Sequence, residues 1–320
     1  MNSSIIIPTF NSESTIEKTI NSILKQSIKP YEIIVSDGGS TDKTIKIAEK
    51  LSEKNKEIKL IKKKGFGISA SRNIGAKQAL GEIIVFLDSD VIAEEKWLEK
   101  LLVCMEKEKP FCCCGKYSVE LNKSFASDFF SFVVSSSSFQ GYNIALRKKD
   151  FLESKGFDEK MKYCEDPEFF LRAFLSGKKF AVTGAETFHE SYSVKDRIKS
   201  NFNYAFFDAV LFKKNISFFL NPFNLVKSPK NIKLIFGFYW ILFFSFIFSV
   251  VVLTITKNIF SLVFISVPAL AGCIKIILNK NKTKYKNNFL VLLIYSFFAL
   301  FLFGLIKGAG FLNGLIQGKH

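Results

Sequence analysis

The sequence has little histidine, and its cysteines do not have the spacing of zinc ligands. Only two of the 320 residues are histidines, His189 and the last residue. Cys112 to Cys114 are consecutive, whereas Cys104, Cys164 and Cys273 are scattered. Adjacent side chains on a strand point to opposite faces, so this pattern does not predict a zinc site. We expect reduced, partly buried thiols instead.

Acidic residues are scarce relative to basic ones. The chain has 29 Asp and Glu against 45 Lys and Arg, which gives a net charge of +16. Such a balance is typical of proteins that bind nucleic acid, an anionic membrane surface or phosphorylated substrates. Nucleic acid is disfavoured, because no recognition motif is present and the aromatic residues lie mostly in apolar runs. The charge therefore predicts a membrane and a nucleotide diphosphate as partners, and no nucleic acid.

A secretory signal peptide is also lacking. Residues Met1 to Asn11 hold only the short apolar run Ile5 to Ile7, with no basic stretch before it. We therefore expect the first part of the chain to remain in the cytoplasm.

Long apolar runs are confined to the last third of the chain, and each has nearly the ~20 residues that cross a bilayer. The predicted transmembrane helices are residues 234–256, 259–278 and 289–306. The loop between the second and third carries four lysines from Lys280 to Lys286, which predicts that this loop is cytoplasmic. The sequence thus predicts a multi-pass protein of the cell membrane.

Composition divides the chain into three parts. Residues 1–199 form a predicted cytoplasmic α/β domain, and residues 231–320 form a membrane domain with about three transmembrane helices. Between them, residues 200–230 mix Phe and Tyr with Lys213 and Lys214. That mixture is typical of an amphipathic segment in the membrane interface, although an ordinary core helix is an open alternative.

The first 90 residues alternate apolar strands with amphipathic helices. Strands are predicted at residues 4–8, 32–36, 59–61 and 82–87, and helices at 14–25, 42–51 and 69–80. Fully apolar strands that alternate with helices predict a mostly parallel sheet covered on both faces. Ligands of such sheets bind at the carboxyl ends of the strands. Three polar loops follow strands directly there: Pro8 to Asn11, Ser36 to Ser40, and Asp88 to Asp90.

The last two of these loops carry chemistry. The carboxylates of Asp88 and Asp90 can hold a hard cation such as Mg²⁺ or Mn²⁺, although acidic pairs also cap helices. Asp37 can accept a hydrogen bond from a base or a ribose, and the glycines after it let backbone approach a ligand. A tight turn would account for the same residues.

The order of these motifs is more specific than any one of them. The segments that carry the resemblance are Ile5 to Asn11, Ile33 to Asp42, Ser71 to Ala76, Gly81 to Asp90, and more loosely Gly156 to Glu159 and Glu165 to Arg172. Together they resemble the family-2 inverting glycosyltransferases, which have the GT-A fold. The resemblance is strong over Ser4 to Asp90 and does not cover the apolar segments. Many members have two adjacent acidic residues where this chain has Asp37-Gly38, which leaves the nucleotide open.

The resemblance implies a role for each matching residue. Thr9 and Asp37 would contact the nucleoside, and Arg72 would approach the base or the diphosphate. Asp88 would contact ribose or metal, and Asp90 would bind the metal.

Two further residues of the later segments complete the predicted site. Asp166 matches the catalytic base, and Glu165 beside it would raise its proton affinity by like-charge repulsion. A helix N-terminus rich in acidic residues ahead of Pro167 would account for the same two residues. His189 is a possible further metal ligand, although a lone histidine is usually structural.

We therefore predict a membrane-bound inverting glycosyltransferase that uses a nucleotide-sugar donor and a divalent metal. The acceptor would be lipid-linked or a glycan at the cytoplasmic membrane face. A polyprenyl-phosphate sugar synthase is the first alternative, and it would need no general base. A non-catalytic, sugar-nucleotide-binding membrane partner is the second alternative, and a nucleotidyltransferase of related fold is a distant one.

Overall fold

The computed structural model describes residues 1–120 and 141–190, together with Asn203, Phe207, Val210 and Lys214. The three predicted transmembrane segments lie outside the described residues, as does nearly all of the predicted interfacial segment. Within the described part of the chain, no helix is both long enough and apolar enough to cross a membrane.

Eight strands and six helices make up the described part of the fold. The strands are β1 (Ser3–Thr9), β2 (Glu32–Asp37), β3 (Ile58–Lys62), β4 (Ile83–Phe86), β5 (Val91–Ala93), β6 (Cys112–Glu120), β7 (Ile144–Arg147) and β8 (Phe180–Glu190). The helices are α1 (Ile16–Leu24), α2 (Thr44–Lys54), α3 (Ile68–Gln78), α4 (Trp97–Lys107), α5 (Lys148–Glu153) and α6 (Glu165–Leu175). Every strand and helix predicted for the first 90 residues is present, with ends that differ by at most three residues.

The strands form one sheet in the order β3-β2-β1-β4-β7-β6-β8-β5. Its first four strands are parallel, as their apolar runs predicted. The other half is mixed: β7 runs antiparallel to β4 and β6, β5 runs antiparallel to β8, and β6 runs parallel to β8. The prediction of a mostly parallel sheet was therefore wrong for this half. A buried strand such as β7 has an apolar sequence whichever way it runs, so its sequence does not reveal its direction.

The apolar periodicity of the first helix places it against the sheet. Ile16, Ile20 and Ile23 are all fully buried, as positions on one face of a helix should be. They join the apolar side chains of β1, β2 and β4 and the inner face of α4 in one core cluster. Every residue of β1 is buried, which fixes this strand in the centre of the sheet.

A buried carboxylate ties together the amino ends of the central strands. Glu32 is 1% exposed and accepts hydrogen bonds from Ser4 Oγ at 2.6 Å and Lys59 Nζ at 2.7 Å, as well as from the Leu80 backbone N–H. Burial disfavours its ionisation, but the hydrogen bonds from Lys59, Ser4 and Leu80 outweigh burial and lower the pKa of Glu32 below 4.5. Glu32 is therefore a structural carboxylate, far along the strands from the polar loops.

The expectation of reduced thiols was wrong for one pair of cysteines. Cys104 of α4 and Cys113 of β6 form a disulfide with a Cα–Cα distance of 6.5 Å. Residues along a strand alternate between faces, so Cys113 points towards α4 while its neighbours Cys112 and Cys114 point the other way as buried free thiols. The sequence did not reveal the pair because the packing of α4 on β6 brings the two residues together.

Candidate functional site

Polar loops at the carboxyl ends of β1 and β4 meet the start of α3 around one cavity. The cavity has a volume of about 380 Å³, which is in the usual range for small-molecule sites. Its lining comes from three segments: Pro8–Ser12 with Ser14 and Thr15; Phe66, Ile68 and Ser71; and Asp88–Asp90. The cavity thus lies at the carboxyl ends of the strands, where the sequence led us to expect ligands.

Hydroxyl groups of neighbouring segments hold the Asp88–Asp90 turn in place through Ser89. Ser12 Oγ and Ser89 Oγ are 2.8 Å apart, and Thr19 Oγ1 of α1 donates to the Ser89 carbonyl at 3.0 Å. Because Ser89 is anchored, the two aspartates beside it are fixed as well. The two aspartates contact different side chains: Asp88 contacts Arg72, and Asp90 contacts His189.

Asp90 pairs with His189. The distance from Asp90 Oδ2 to His189 Nε2 is 2.8 Å, and the antiparallel register of β5 and β8 brings the two residues together by placing Val91 opposite His189. His189 is 6% exposed, whereas the Asp90 side chain is 38% exposed towards the cavity. The structure therefore unites two of the three predicted metal ligands.

Asp90 and His189 have the chemistry of a partial ligand set for a divalent cation. Among the described residues, no group of three or more His, Cys, Asp or Glu side chains forms a complete metal site. Mg²⁺ is commonly bound through one or two carboxylates and completed by water and phosphate oxygens, and an imidazole nitrogen also suits several transition metals. Asp90 and His189 supply such a partial set, with Asp88 nearby.

Asp88 is engaged by a buried arginine. Arg72 of α3 is 2% exposed; its Nη2 lies 2.7 Å from Asp88 Oδ1, and its Nη1 lies 2.7 Å from Glu165 Oε1. The guanidinium also lies over the Phe157 ring, 5.3 Å from its centroid. The structure thus places Arg72 as a bridge between two carboxylates rather than as an exposed phosphate ligand. Its Nε has no hydrogen-bond partner among the described residues.

The charges of this bridge shift the pKa values of Asp88 and Arg72. Burial raises the pKa of Asp88, and the nearby Asp90 and Glu165 carboxylates add to that effect, while Arg72 opposes it. Burial disfavours the charged guanidinium of Arg72, yet the carboxylates of Asp88 and Glu165 raise its pKa. Arg72 is therefore a permanent cation between two acids.

Asp166 lies beside this bridge at the start of α6. Burial and the Glu165 carboxylate raise the pKa of Asp166 to about 7, against the opposing effects of Arg72 and of the Gly141 N–H. That N–H donates to Asp166 Oδ2 at 3.1 Å. A half-buried carboxylate with such a pKa can accept a proton near neutral pH, as a general base must.

Of the two predicted nucleoside contacts, Thr9 is among the residues that line the cavity and Asp37 is not. Thr9 lines it, although its hydroxyl donates to the Ile7 carbonyl at 3.1 Å. Asp37 is 4% exposed, and its Oδ1 accepts from the backbone N–H groups of Gly39 and Ser40, each at 2.8 Å. The structure therefore supports the tight-turn alternative for Asp37, whose carboxylate organises its own loop.

Several residues of the site were not predicted as site residues from the sequence. Phe10 and Phe66 line the cavity, yet isolated aromatic residues in loops carry no signal of their own. Asn73 donates to the Phe157 carbonyl and to Glu159 Oε1, both at 2.9 Å, and accepts from the Phe157 N–H at 3.0 Å. Its position directly after Arg72, within the segment Ser71 to Ala76, was the available signal.

The comparison with known families agrees with this geometry. Residues 4–162 match the family model described as glycosyl transferase family 2. This part of the chain is a glycosyl transferase family 2 domain. A cholesterol galactosyltransferase of Borreliella burgdorferi is 35% identical to this chain over 116 residues, which are 36% of this chain and 32% of that protein.

Two further proteins are similar to this chain. The poly(ribitol-phosphate) beta-N-acetylglucosaminyltransferase TarS of Staphylococcus aureus is 26% identical over 204 residues, 59% of this chain and 35% of TarS. The chain thus spans about a third of the length of these two relatives. The crystal structure of GalNAc-T7 with UDP, GalNAc and Mn²⁺ is 18% identical, with a TM-score of 0.51 over 60% of this chain and 44% of that one. That likeness shows a GT-A-like α/β fold.

Proposed function

We propose that this protein is a glycosyltransferase that transfers a sugar from a nucleoside diphosphate sugar to a hydroxyl group of a lipid-linked or glycan acceptor. One observation carries the proposal: Arg72 joins Asp88, at the cavity, to Glu165, beside the half-buried Asp166. A donor in the cavity and an acceptor at Asp166 would then lie on opposite sides of Arg72 and its two salt bridges. The two named relatives in the family support a transferase of this kind.

The donor would bind with its diphosphate towards Asp90. A divalent cation held by Asp90 and His189, with Asp88 nearby, would neutralise the negative charge that develops on the leaving diphosphate. The exposed part of the Asp90 carboxylate faces the cavity, whereas His189 lies behind it. These residues therefore fit a cation that arrives together with the donor.

Asp166 would take the proton from the acceptor hydroxyl. As the acceptor oxygen forms its bond to the anomeric carbon, the bond from that carbon to the diphosphate breaks, and the electron pair leaves with the diphosphate. Attack from the face opposite the leaving group inverts the anomeric centre. A hydroxyl is a weak acid, so a carboxylate base is needed, and this type of help is typically worth ~10²–10⁴-fold in rate.

The alternative, a polyprenyl-phosphate sugar synthase, differs in its need for a general base. A phosphate acceptor is already ionised, so it requires no base. The raised pKa of Asp166, whose carboxylate is oriented by the hydrogen bond that it accepts from the Gly141 N–H, favours the hydroxyl acceptor.

The test is transfer of label from a panel of nucleotide sugars, using membranes that contain the wild type or Asp166→Asn. We expect one labelled sugar to enter the lipid extract or a glycan fraction with the wild type. Asp166→Asn should reduce single-turnover transfer by ~10²–10⁴-fold while donor binding changes little. A variant within a few-fold of wild type would remove Asp166 as the base and favour the polyprenyl-phosphate synthase. No transfer from any donor would support the non-catalytic alternative.

We further propose that residues 231–320 anchor the protein in the cell membrane as about three transmembrane helices, with the family 2 domain in the cytoplasm. The support is the apolar runs and the Lys-rich loop between residues 278 and 289. A cysteine introduced at position 283 should resist a membrane-impermeant reagent applied to intact cells. Efficient labelling there would overturn this topology.

A further inference from the structure

Strand β8 has two more residues than the part of β6 that it lies against. Cys114 of β6 pairs with Val182 of β8 in the parallel ladder. Two residues later in β6, Lys116 pairs with Glu186, which comes four residues after Val182 in β8. The extra residues form a bulge, which interrupts the ladder and changes its register. The position of His189, near the end of β8, therefore depends on this bulge.

The pattern of buried side chains in β8 does not by itself select this register. Ala181, Ala185, Thr187 and His189 are all buried. Because side chains along a strand repeat every two residues, a slip of two residues would leave the same face buried. It would move His189 by about 6–7 Å along the sheet. The turn that carries Asp90 is held by α1 and by the loop after β1, so the 2.8 Å contact between Asp90 and His189 would be lost.

The side chain of Asn143, which is 3% exposed, lies at the bulge and contacts both strands. Its Nδ2 donates to the Lys116 carbonyl of β6 at 2.9 Å. The same atom lies 3.0 Å from Thr187 Oγ1 and 3.3 Å from the Ala185 carbonyl of β8. A Cβ on Gly115 would be 2.2 Å from Asn143 Oδ1, so the amide occupies space that only glycine leaves open. The amide thus joins β6 to the residues of β8 that end the bulge.

Asn143 is itself fixed relative to the aspartate turn. It directly precedes β7, whose first residue, Ile144, pairs with Phe86 of β4, and the chain runs from β4 into the Asp88–Asp90 turn. Asn143 Oδ1 accepts a hydrogen bond from Trp97 Nε1 of α4 at 2.7 Å. The turn that carries Asp90 and the strand that carries His189 are therefore both positioned relative to Asn143.

We propose that Asn143 is a positioning residue, which holds the bulge of β8 and thereby places His189 against Asp90. Without the amide, the Lys116 and Ala185 carbonyls would lose a buried donor, which is costly. A register without the bulge restores regular ladder hydrogen bonds, so β8 would slip by two residues. The inference rests on the proposed function for its effect on catalysis, because His189 is there a ligand of the proposed cation.

The position of His189 can be observed directly, because the chain has only two histidines. Full-length protein with isotope-labelled histidine rings and with His320→Ala gives imidazole nitrogen NMR signals from His189 alone. Spectra in detergent with EDTA report the contact with Asp90 and not a bound metal, and Asp90→Asn shows how far the signals move when the carboxylate is lost. Asn143→Ala should move them at least as far. It should also reduce transfer by about 10–100-fold, which is the usual effect of losing a group that orients a metal ligand.

A shortened β8 separates control of the register from general stability. Deletion of Thr183 and Gly184 removes two residues of the bulge, so that the rest of β8 can keep its register in a regular ladder. In this background, Asn143→Ala should give the wild-type signals of His189 and should recover most of the transfer activity. A residue that only stabilised the fold would not be made dispensable in this way.

Gln26→Ala is the matched control, because Gln26 is a buried amide with 2% exposure. It donates to the Glu94 carbonyl at 2.7 Å and accepts from the Leu98 N–H at 2.9 Å, so it holds the start of α4, as Asn143 also does. Both variants should lower the melting temperature. Gln26→Ala should leave the signals of His189 unchanged.

The outcomes decide the inference separately from the proposed function. Wild-type signals of His189 in a folded Asn143→Ala protein would overturn the inference, and so would equally large changes in Gln26→Ala. If the shortened β8 does not restore the signals, Asn143 has no role in the register. If Asn143→Ala alone does not fold, the shortened variant decides, because it must fold and show the wild-type signals. Absence of transfer by the wild type from any donor would contradict the proposed function, while the spectra would still decide what places His189.

Discussion

Replacing Glu165 by glutamine should move the pH profile of transfer, because Glu165 is a charged neighbour of the proposed base. The glutamine side chain would keep an oxygen that can accept from Arg72 Nη1, which now lies 2.7 Å from Glu165 Oε1. The substitution would remove a negative charge beside Asp166, and the guanidinium of Arg72 would then be less neutralised. Both changes stabilise the ionised form of Asp166 and lower its pKa from about 7.

The size of the effect follows from Coulomb's law. Two unit charges 6–8 Å apart repel by about 2–3 kcal/mol at an effective dielectric constant of about 20. Asp166 is half-buried, so solvent screens part of this repulsion. A fall of about one pKa unit, equal to about 1.4 kcal/mol, is therefore the expected change.

The assay is single-turnover transfer from pH 5 to 9 with saturating donor. A base acts only when ionised, so the wild-type rate should rise with pH and level off above about 7. Glu165→Gln should reach its plateau about one pH unit lower. Glu153→Gln, an exposed change of the same charge on α5, should leave the profile in place. An unshifted profile in an active Glu165→Gln enzyme would refute the electrostatic role of Glu165.

Three other predictions concern separate parts of the domain. Asp90→Asn should fold normally and lose most activity, and EDTA should abolish wild-type turnover; full activity in EDTA would remove the metal from the mechanism. Gly141→Ala should reduce turnover at unchanged donor affinity, because its Cβ would lie 2.9 Å from Arg72 Nη1 and 3.1 Å from Asp166 Cβ; wild-type kinetics would contradict this. Glu32→Gln concerns stability. The folded pKa of Glu32 is lowered, so its charge stabilises the fold above pH 4.5, and this is lost as pH falls below it. The variant should show a weaker fall of melting temperature between pH 5 and 3, and an unchanged fall would exclude the effect.

The first half of the fold could be predicted from sequence because its signals are local. Apolar runs such as Ile5 to Ile7 and helical spacing such as Ile16, Ile20 and Ile23 report burial directly. Strand direction beyond β4 could not be predicted, since it depends on pairing with strands far along the chain. The same limit applies to the Cys104–Cys113 disulfide, which depends on helix packing.

Site residues divide in the same way. The sequence predicted that Asp88 and Asp90 lie at the carboxyl end of the sheet, because both follow a buried strand, and the structure has them there. It did not show that Arg72 would engage Asp88 and that His189 would pair with Asp90. Those partners are set by contacts of α3 and β8, which lie 16 and 99 residues away in the chain.

The motif Ser71-Arg72-Asn73 joins the part of the fold before residue 91 to the part after residue 140. Helix α3 lies close against β1, because a Cβ on Gly75 would be 2.5 Å from Ile6 Cγ2 and only glycine permits that approach. The close approach lets the preceding turn of α3 reach residues after 140: Arg72 pairs with Glu165, and Asn73 holds the Phe157 backbone. The cavity is built by residues before 91, and the proposed base lies on α6. The distance between the proposed donor site and the proposed base is therefore set by α3, so substitutions at Gly75 should impair catalysis although the residue lines no part of the cavity.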